Sequence, residues 1–215
     1  MTRLAGIVEI NRRFARSARI DADLSGTPPL IGYVLQASVA KALSTMALSQ
    51  ADSRQGAFTW TGPYGGGKSS AALLVANIVA GSEGNQKIAR ELAGEDLCKL
   101  FEAAFPGEGD WHVVAVTGSR TCLRAAIASA AGAALGWSPE TFEAAFASDG
   151  ALIDALLSPG QGEPSVLLIL DELGKMLEHE ALEGGDVHLL QDLAERASRS
   201  EGRLVVVGIL HQSFD

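Results

Sequence analysis

The sequence predicts an α/β fold in which parallel strands lie between two layers of helices. Residues 166–170 and 204–210 are apolar runs, as expected for strands that are buried on both faces. A shorter strand pattern at 56–60 leads into a glycine-rich loop at 62–67 and then an apolar helix pattern at 69–80. Strands that alternate with helices along a chain favour a parallel sheet.

The remaining elements follow from local patterns. Apolar residues at helical spacing predict a helix over 37–49, and the run at 111–118 predicts the second strand. Residues 82–109 are first polar and then helical. Further helical patterns cover 121–135, 142–157, 173–181 and a segment that follows Asp186. Glycine and proline separate these patterns, as they do between elements of a compact domain.

Composition limits the class of protein. The chain has 215 residues, is 47% hydrophobic and carries a net charge of −9, which argues against a generally basic, nucleic-acid-coating surface. Its apolar runs are too short to cross a bilayer, and no secretory leader pattern opens the sequence, so we expect a cytoplasmic protein without membrane contact. Cys98 and Cys122 are isolated and the histidines are scattered, so we expect free thiols and no zinc site.

The loop at 62–69 fits the phosphate-binding pattern G-x-x-x-x-G-K-[ST]. A phosphate chain is held by several backbone N–H groups that point inward together, and glycine permits both the close approach and the unusual dihedral angles. The positions predicted to bind the nucleotide here are Gly62, Pro63, Tyr64, Gly65, Gly66, Gly67, Lys68, Ser69 and Ser70.

Three side chains of this loop have predicted roles. Lys68 would reach the β- and γ-phosphates, Ser69 would ligate Mg²⁺, and Ser70 would bond near the α-phosphate. The alternative is a plain glycine-rich turn with a solvated lysine. The order of strand, loop and helix favours the phosphate-binding interpretation.

The second motif is the pair Asp171 and Glu172, directly after the apolar run at 166–170. Two adjacent carboxylates at the end of a buried strand are costly unless a positive charge lies there, and Mg-nucleotide supplies one. We expect Asp171 to hold Mg²⁺ and Glu172 to align and deprotonate the attacking water. The alternative is a pair of acidic residues that merely start a helix.

The strand pattern at 203–210 delivers His211 and Gln212 to its carboxyl end, where ligands of open α/β sheets bind. Either side chain would contact the γ-phosphate or the attacking water, and the sequence does not choose between them. Polar residues that simply leave a sheet are the alternative.

The N-terminal residues 1–24 place Arg12, Arg13, Arg16 and Arg19 among apolar residues at helical spacing. One interpretation is an arm that touches nucleotide, nucleic acid or a partner. The other, which short charge-rich segments favour, is an amphipathic helix with a solvated basic face. Residues 25–29 predict a turn-forming linker, so we divide the chain into an arm and linker at 1–29 and a core at 30–215.

These motifs resemble the additional-strand, catalytic-glutamate branch of the P-loop NTPases, which includes AAA+, STAND and HerA/FtsK-like ATPases. The resemblance implies a three-layer α/β sandwich with a mainly parallel sheet and the strand order 2-3-4-1. It also implies that Ile31, Gly32 and Tyr33 line the adenine pocket, although ordinary core and turn positions explain them equally well. ATP and Mg²⁺ are the implied cofactors.

The resemblance leaves two functional hypotheses. The first is the ATPase core of a larger, oligomeric machine that acts on nucleic acid or protein, as in large bacterial antiphage defence ATPases. The second is a STAND-like switch that hydrolyses ATP slowly and signals through partners. A small-molecule kinase is disfavoured by Glu172. A fifth strand, an arginine finger and a helical lid are not seen in the sequence, so we expect the native protein to continue past Asp215.

Overall fold

A computed structural model of the chain describes residues 18–24, 30, 32–107, 109–158, 164–183, 185 and 187–211. The first half contains α1 (Ile20–Asp23), α2 (Ala37–Ser53), β1 (Ala57–Trp60), α3 (Lys68–Ala80), α4 (Glu83–Ala93), α5 (Glu95–Ala104) and β2 (Trp111–Thr117). The second half contains α6 (Leu123–Leu135), α7 (Pro139–Ala147), α8 (Asp149–Leu157), β3 (Ser165–Asp171), α9 (Leu173–Glu183), α10 (His188–Ser198) and β4 (Leu204–Ile209).

The four strands form one parallel sheet in the order β1-β4-β3-β2. The strand that comes last in the chain therefore lies between the strand that precedes the glycine loop and the strand that ends in Asp171. This order is the one expected from the sequence. All four carboxyl ends meet at one edge, where Thr117 of β2 is the register partner of Asp171 in β3.

Helices cover both faces of the sheet because its inner strands are apolar on both. Leu167 and Ile169 pack into a core with α1 to α5, whereas Leu168 and Leu170 pack into a second core with α6 to α10. Two cores on opposite faces of one sheet are consistent with a three-layer α/β fold. The predicted α/β class with a parallel sheet is confirmed.

Helix α3 is buried along most of its length. Residues 71–78 are all inaccessible to solvent, which matches an apolar pattern without a polar face. Because α3 is packed so completely, the glycine loop that precedes it has a rigid support. The loop position is therefore determined by the core rather than by the loop residues themselves.

The helical region predicted at 142–157 is divided into α7 and α8, which meet at the extended Ser148 (φ −143°). Residues 82–109, predicted to be polar and then helical, form α4 and α5, which meet at Gly94 (φ 78°), so the polar first part is a helix too. The N-terminal helical pattern is represented by α1 alone, since residues 1–17 lie outside the described part of the chain. Within that part, no helix combines the length and apolar character needed to cross a bilayer.

Candidate active site

The glycine loop lies at the carboxyl edge of the sheet, between β1 and α3. Gly65 and Gly67 adopt left-handed backbone angles (φ 76° and 79°), which explains the need for glycine at these two positions. Gly67 is the residue before α3, and no side chain in the described ranges caps this helix end. The first N–H groups of α3 are therefore available to an external acceptor, and the helix dipole favours an anion as that acceptor.

The Lys68 side chain folds back over the loop. Its ammonium donates hydrogen bonds to the carbonyl oxygens of Gly62 (2.7 Å) and Pro63 (2.8 Å). Burial lowers the pKa of Lys68, and the negative charge of Asp171 opposes that shift. The cation is thus held inside the loop, close to the acidic end of β3.

Asp171 is the most deeply buried acid of the site, with 1% of its surface exposed. Burial raises its pKa, while a hydrogen bond with Ser69, a bond from the Glu172 backbone N–H (2.9 Å) and the nearby His211 act in the opposite direction. The contact with Ser69 joins the start of α3 to the end of β3. The two residues predicted to share a Mg²⁺ ion therefore lie together.

Glu172 turns away from the strand in a left-handed conformation (φ 52°) that is rare for residues other than glycine. Its carboxylate forms an ion pair with Lys175, and its Oε1 lies 3.8 Å from Nε2 of His211. Gly118, which follows β2, makes room for this turn, because a Cβ there would lie 2.2 Å from the Glu172 carbonyl oxygen. A side chain at position 118 would displace the acid.

His211 connects the end of β4 to the tip of the glycine loop. Its ring stacks on Tyr64 with 4.2 Å between centroids and 9° between planes. The Tyr64 ring is mainly exposed, whereas the His211 side chain is 15% exposed. Neither imidazole nitrogen has a hydrogen-bond partner among the described residues. His211 can therefore accept or donate a hydrogen bond to a ligand without breaking one inside the protein.

These residues surround one cavity, called here the phosphate cavity, of about 230 Å³. Its lining consists of Ala18, Tyr64, Gly65, Gly66, Gly67, Lys68, Ser69, Ser70, Glu172 and His211. Most of the predicted phosphate-binding positions thus line one cavity together with the predicted catalytic acid. Ala18, from the N-terminal segment, was not expected in this set.

A larger cavity of about 410 Å³, called here the apolar cavity, shares Gly66 and Lys68 with the first. Its other lining residues are Ser38, Val39, Ala42, Leu43, Thr59, Trp60, Thr61, Gly62, Pro63 and Ala71. A volume of roughly 300–1,000 Å³ with mostly apolar walls is typical of small-molecule sites. Sequence reasoning missed the contribution of α2, because the apolar spacing that includes Val39 and Leu43 predicted a helix and gave no sign of a cavity.

Gly32 and Tyr33 line neither cavity. Tyr33 packs against the core on the α1–α5 side, and burial raises its pKa. Ile31 and Gln212 lie outside the described residues. The predicted adenine contact of residues 31–33 and the γ-phosphate role of Gln212 therefore stay predictions.

A third cavity of about 220 Å³ lies beside Ile78 and Val79, near the C-terminal end of α3. Its cation, Arg90, is paired with Glu102 at 2.6 Å. About ten residues of α3 separate it from Lys68, a distance of roughly 15 Å along a helix. This cavity is not part of the site at the sheet edge.

The oxygen donors at the edge fit one class of metal. No group of three or more His, Cys, Asp and Glu side chains within the described ranges could hold an ion with protein ligands alone. The Ser69 hydroxyl and Asp171 carboxylate are instead the sparse, hard donor set that suits Mg²⁺, which takes its other ligands from water and phosphate oxygens.

No protein-family model matches this chain, and no curated protein matches its sequence. The resemblance to P-loop ATPases therefore depends on the motifs and on the geometry just described.

Proposed function

We propose that the protein binds ATP with Mg²⁺ and hydrolyses it. The observation that supports this most directly is that the glycine loop and the acidic strand end meet: Ser69 and Glu172 line one cavity, and Ser69 interacts with Asp171. The two motifs come from distant parts of the sequence, and no stability argument requires a buried carboxylate beside an uncapped helix start. A shared triphosphate and metal account for both.

The two cavities suggest how ATP would lie. The triphosphate would occupy the phosphate cavity, where the start of α3 and Lys68 supply positive charge. Ser69 and Asp171 would hold Mg²⁺. The base and ribose would enter the apolar cavity, which is continuous with the loop through Gly66 and Lys68. The sequence contains no guanine-reading N-K-x-D, so adenine is the proposed base.

Hydrolysis would use Glu172 as the general base. The attacking water loses a proton to the Glu172 carboxylate while its oxygen bonds to the γ-phosphorus, and the bond to the β–γ bridging oxygen breaks with its electron pair retained by ADP. His211 lies beside Glu172 and would orient the water or the γ-phosphate. Mg²⁺, when bound, would neutralise negative charge on the phosphates.

A slow ATP switch is the second candidate, and one observation favours it. The Glu172 carboxylate is already engaged by Lys175 and lies beside His211. A carboxylate in an ion pair is less available to take a proton from water. Turnover would then wait for Lys175 to release Glu172, and bound ATP would persist long enough to change partner contacts.

Calorimetric titration with Mg-ATP tests the proposal. We expect Lys68→Ala to weaken binding by about 100-fold, because each charge-assisted hydrogen bond contributes about 1.5–3 kcal/mol. Lys87→Ala, an exposed lysine on α4, is the matched control and should bind normally. Absence of binding by the unaltered protein, or equal binding by Lys68→Ala, would overturn the proposal.

Steady-state turnover with and without DNA separates the two candidates. Strong stimulation by DNA is expected of a motor that acts on nucleic acid and would remove the switch. A slow rate of ATP turnover that DNA does not change would support the switch. A motor that acts on protein, or that needs an oligomer, would show turnover that rises with protein concentration.

A further inference from the structure

The N-terminal segment 18–23 is attached to the carboxyl edge of the sheet. The Thr117 hydroxyl donates a hydrogen bond of 2.7 Å to Asp21, and Thr117 is the register partner of Asp171. Ile20 is completely buried in the core on the α1–α5 side. Ala18 lines the phosphate cavity together with Glu172 and His211. These contacts place the segment at the site rather than in solvent.

Arg19 is the cation of this segment, and it directly follows Ala18, which lines the phosphate cavity. Its guanidinium is bound by both carboxylate oxygens of Asp21, at 2.8 Å to Oδ2 and 3.3 Å to Oδ1. The side chain is 60% exposed, so it can change rotamer without a packing cost. Its charge also interacts electrostatically with Glu172, an acid that lines the phosphate cavity.

Two other cations among the described residues lie near the cavity, and each already has a partner in the protein. Lys68 donates hydrogen bonds to the loop carbonyls of Gly62 and Pro63, and Lys175 is paired with Glu172. Hydrolysis of a triphosphate builds negative charge on the γ-phosphoryl oxygens and the bridging oxygen. Planar guanidinium groups match phosphate oxygens in two hydrogen bonds at once, which a lysine cannot do.

From this arrangement we infer that Arg19 acts in cis on the γ-phosphate, as the arginine that stabilises the transition state of hydrolysis. The incoming triphosphate competes with Asp21 for the guanidinium, and Arg19 then donates hydrogen bonds to the γ-phosphoryl group. Asp21 holds the arginine beside the site until that exchange. The inference rests on the proposed ATPase function.

Arg19→Ala in the full chain tests the inference, with Arg199→Ala as the matched control. Arg199 is an exposed arginine on the opposite helical layer and is likewise paired with an acid, Glu195. We expect Arg19→Ala to lower kcat by roughly 1,000-fold, the lower end of what an arginine supplies in phosphoryl transfer. Mg-ATP affinity should change by less than about threefold, since the interaction forms mainly in the transition state.

A second measurement does not depend on turnover. Mg-ADP with aluminium fluoride mimics the transferring phosphoryl group, and Arg19→Ala should lose affinity for this mimic while the control retains it. Arg19→Lys should recover only part of the lost affinity, because lysine restores the positive charge but not the paired N–H donors of the planar guanidinium. Thermal unfolding of each variant checks that segment 18–23 still docks.

The outcomes separate this inference from the function on which it depends. No Mg-ATP binding by the unaltered protein overturns both. Normal binding and normal turnover in Arg19→Ala overturn the inference alone. An equal loss of affinity for Mg-ATP and for the mimic also overturns it, because Arg19 would then be a binding residue of the ground state.

Discussion

Helices α3 and α6 begin in similar places, but the first backbone N–H groups of the two helices differ in their hydrogen-bond partners. Each follows a strand of the sheet at its carboxyl edge, α3 after β1 and α6 after β2. At α6 the backbone N–H of Leu123 donates a hydrogen bond of 2.6 Å to Glu180, a carboxylate that is 7% exposed. At α3 no side chain in the described part of the chain serves as a cap.

The difference separates a structural helix start from one that is open to a ligand. The α6 start carries its own anion, supplied by α9, so its N–H groups and dipole are compensated within the protein. The α3 start carries a cation, Lys68, and a loop with room for phosphate. Two glutamates of one short segment therefore lie in different settings: Glu180 accepts a hydrogen bond from the start of α6, and Glu172 lines the phosphate cavity.

The largest expected effect tests the role of Glu172. Glu172→Gln should lower kcat by about 100- to 10,000-fold, because the amide cannot accept a proton from water. Mg-ATP affinity should stay within about threefold. Glu183→Gln, at the exposed end of α9, is the control. Equal loss of binding and turnover in Glu172→Gln would mean that Glu172 is structural.

The next effect should fall on stability alone. Glu180→Ala removes the acceptor for the Leu123 N–H and should lower the free energy of unfolding by about 1–3 kcal/mol, the cost of leaving a buried donor unpaired. Urea denaturation measures this change, with the exposed Glu178→Ala as control. The folded fraction should still bind Mg-ATP normally. Unchanged stability would show that water accepts the hydrogen bond of the Leu123 N–H as well as Glu180 does.

A smaller effect concerns the apolar cavity. Ala42 is an exposed residue of α2 that lines this cavity, so Ala42→Trp can fill it without disturbing the core. Mg-ATP affinity should fall about tenfold, or about 1.4 kcal/mol. Inorganic tripolyphosphate should bind as before, because it does not need the cavity. Lys41→Trp, one position away, is the control. Equal weakening of both ligands would place the base elsewhere.

The smallest effect concerns Asp171 in the absence of ligand. Since burial raises its pKa, the native state holds a proton where the unfolded chain does not, and stability falls as pH rises from 3.8 through the native value. Asp171→Asn should therefore raise the unfolding midpoint at pH 7 by roughly 2–4 °C, the shift that about 1 kcal/mol produces in a domain of this size.

The same variant should bind Mg-ATP poorly, so its gain in stability would come with a loss of function. The advantage should disappear as pH falls below the native pKa of Asp171. Asp192→Asn, exposed on α10, is the control. A lower unfolding midpoint in Asp171→Asn at pH 7 would show that the ionised carboxylate stabilises the ligand-free fold.

The sequence predicted those parts of the fold that have local patterns. The strand at 166–170 was found because burial on both faces requires an unbroken apolar run, and the loop at 62–69 because a phosphate cradle requires glycine at set positions. The convergence of Lys68 and Asp171 followed from the shared edge of parallel strands. Strand order was expected only through the resemblance to P-loop ATPases.

The features that were missed have no local signal. Glu180 and Leu123 are 57 positions apart, and Thr117 and Asp21 are 96 apart, so neither contact leaves a pattern within a sequence window. The apolar cavity is formed by α2 and β1 jointly. An apolar residue such as Val39 can line a cavity or pack in the core, and the sequence alone does not distinguish these two roles.

The interior position of β4 has a consequence for how the chain matures during synthesis. β1 and β3 leave the ribosome first, with a gap one strand wide between them that only residues 204–209 can fill. Until then the strand edges that β4 pairs with have no partner, and we expect the nascent chain to be prone to aggregation at this stage. A ribosome stalled before residue 204 would display the glycine loop and the acidic strand end without the pairing that draws them together.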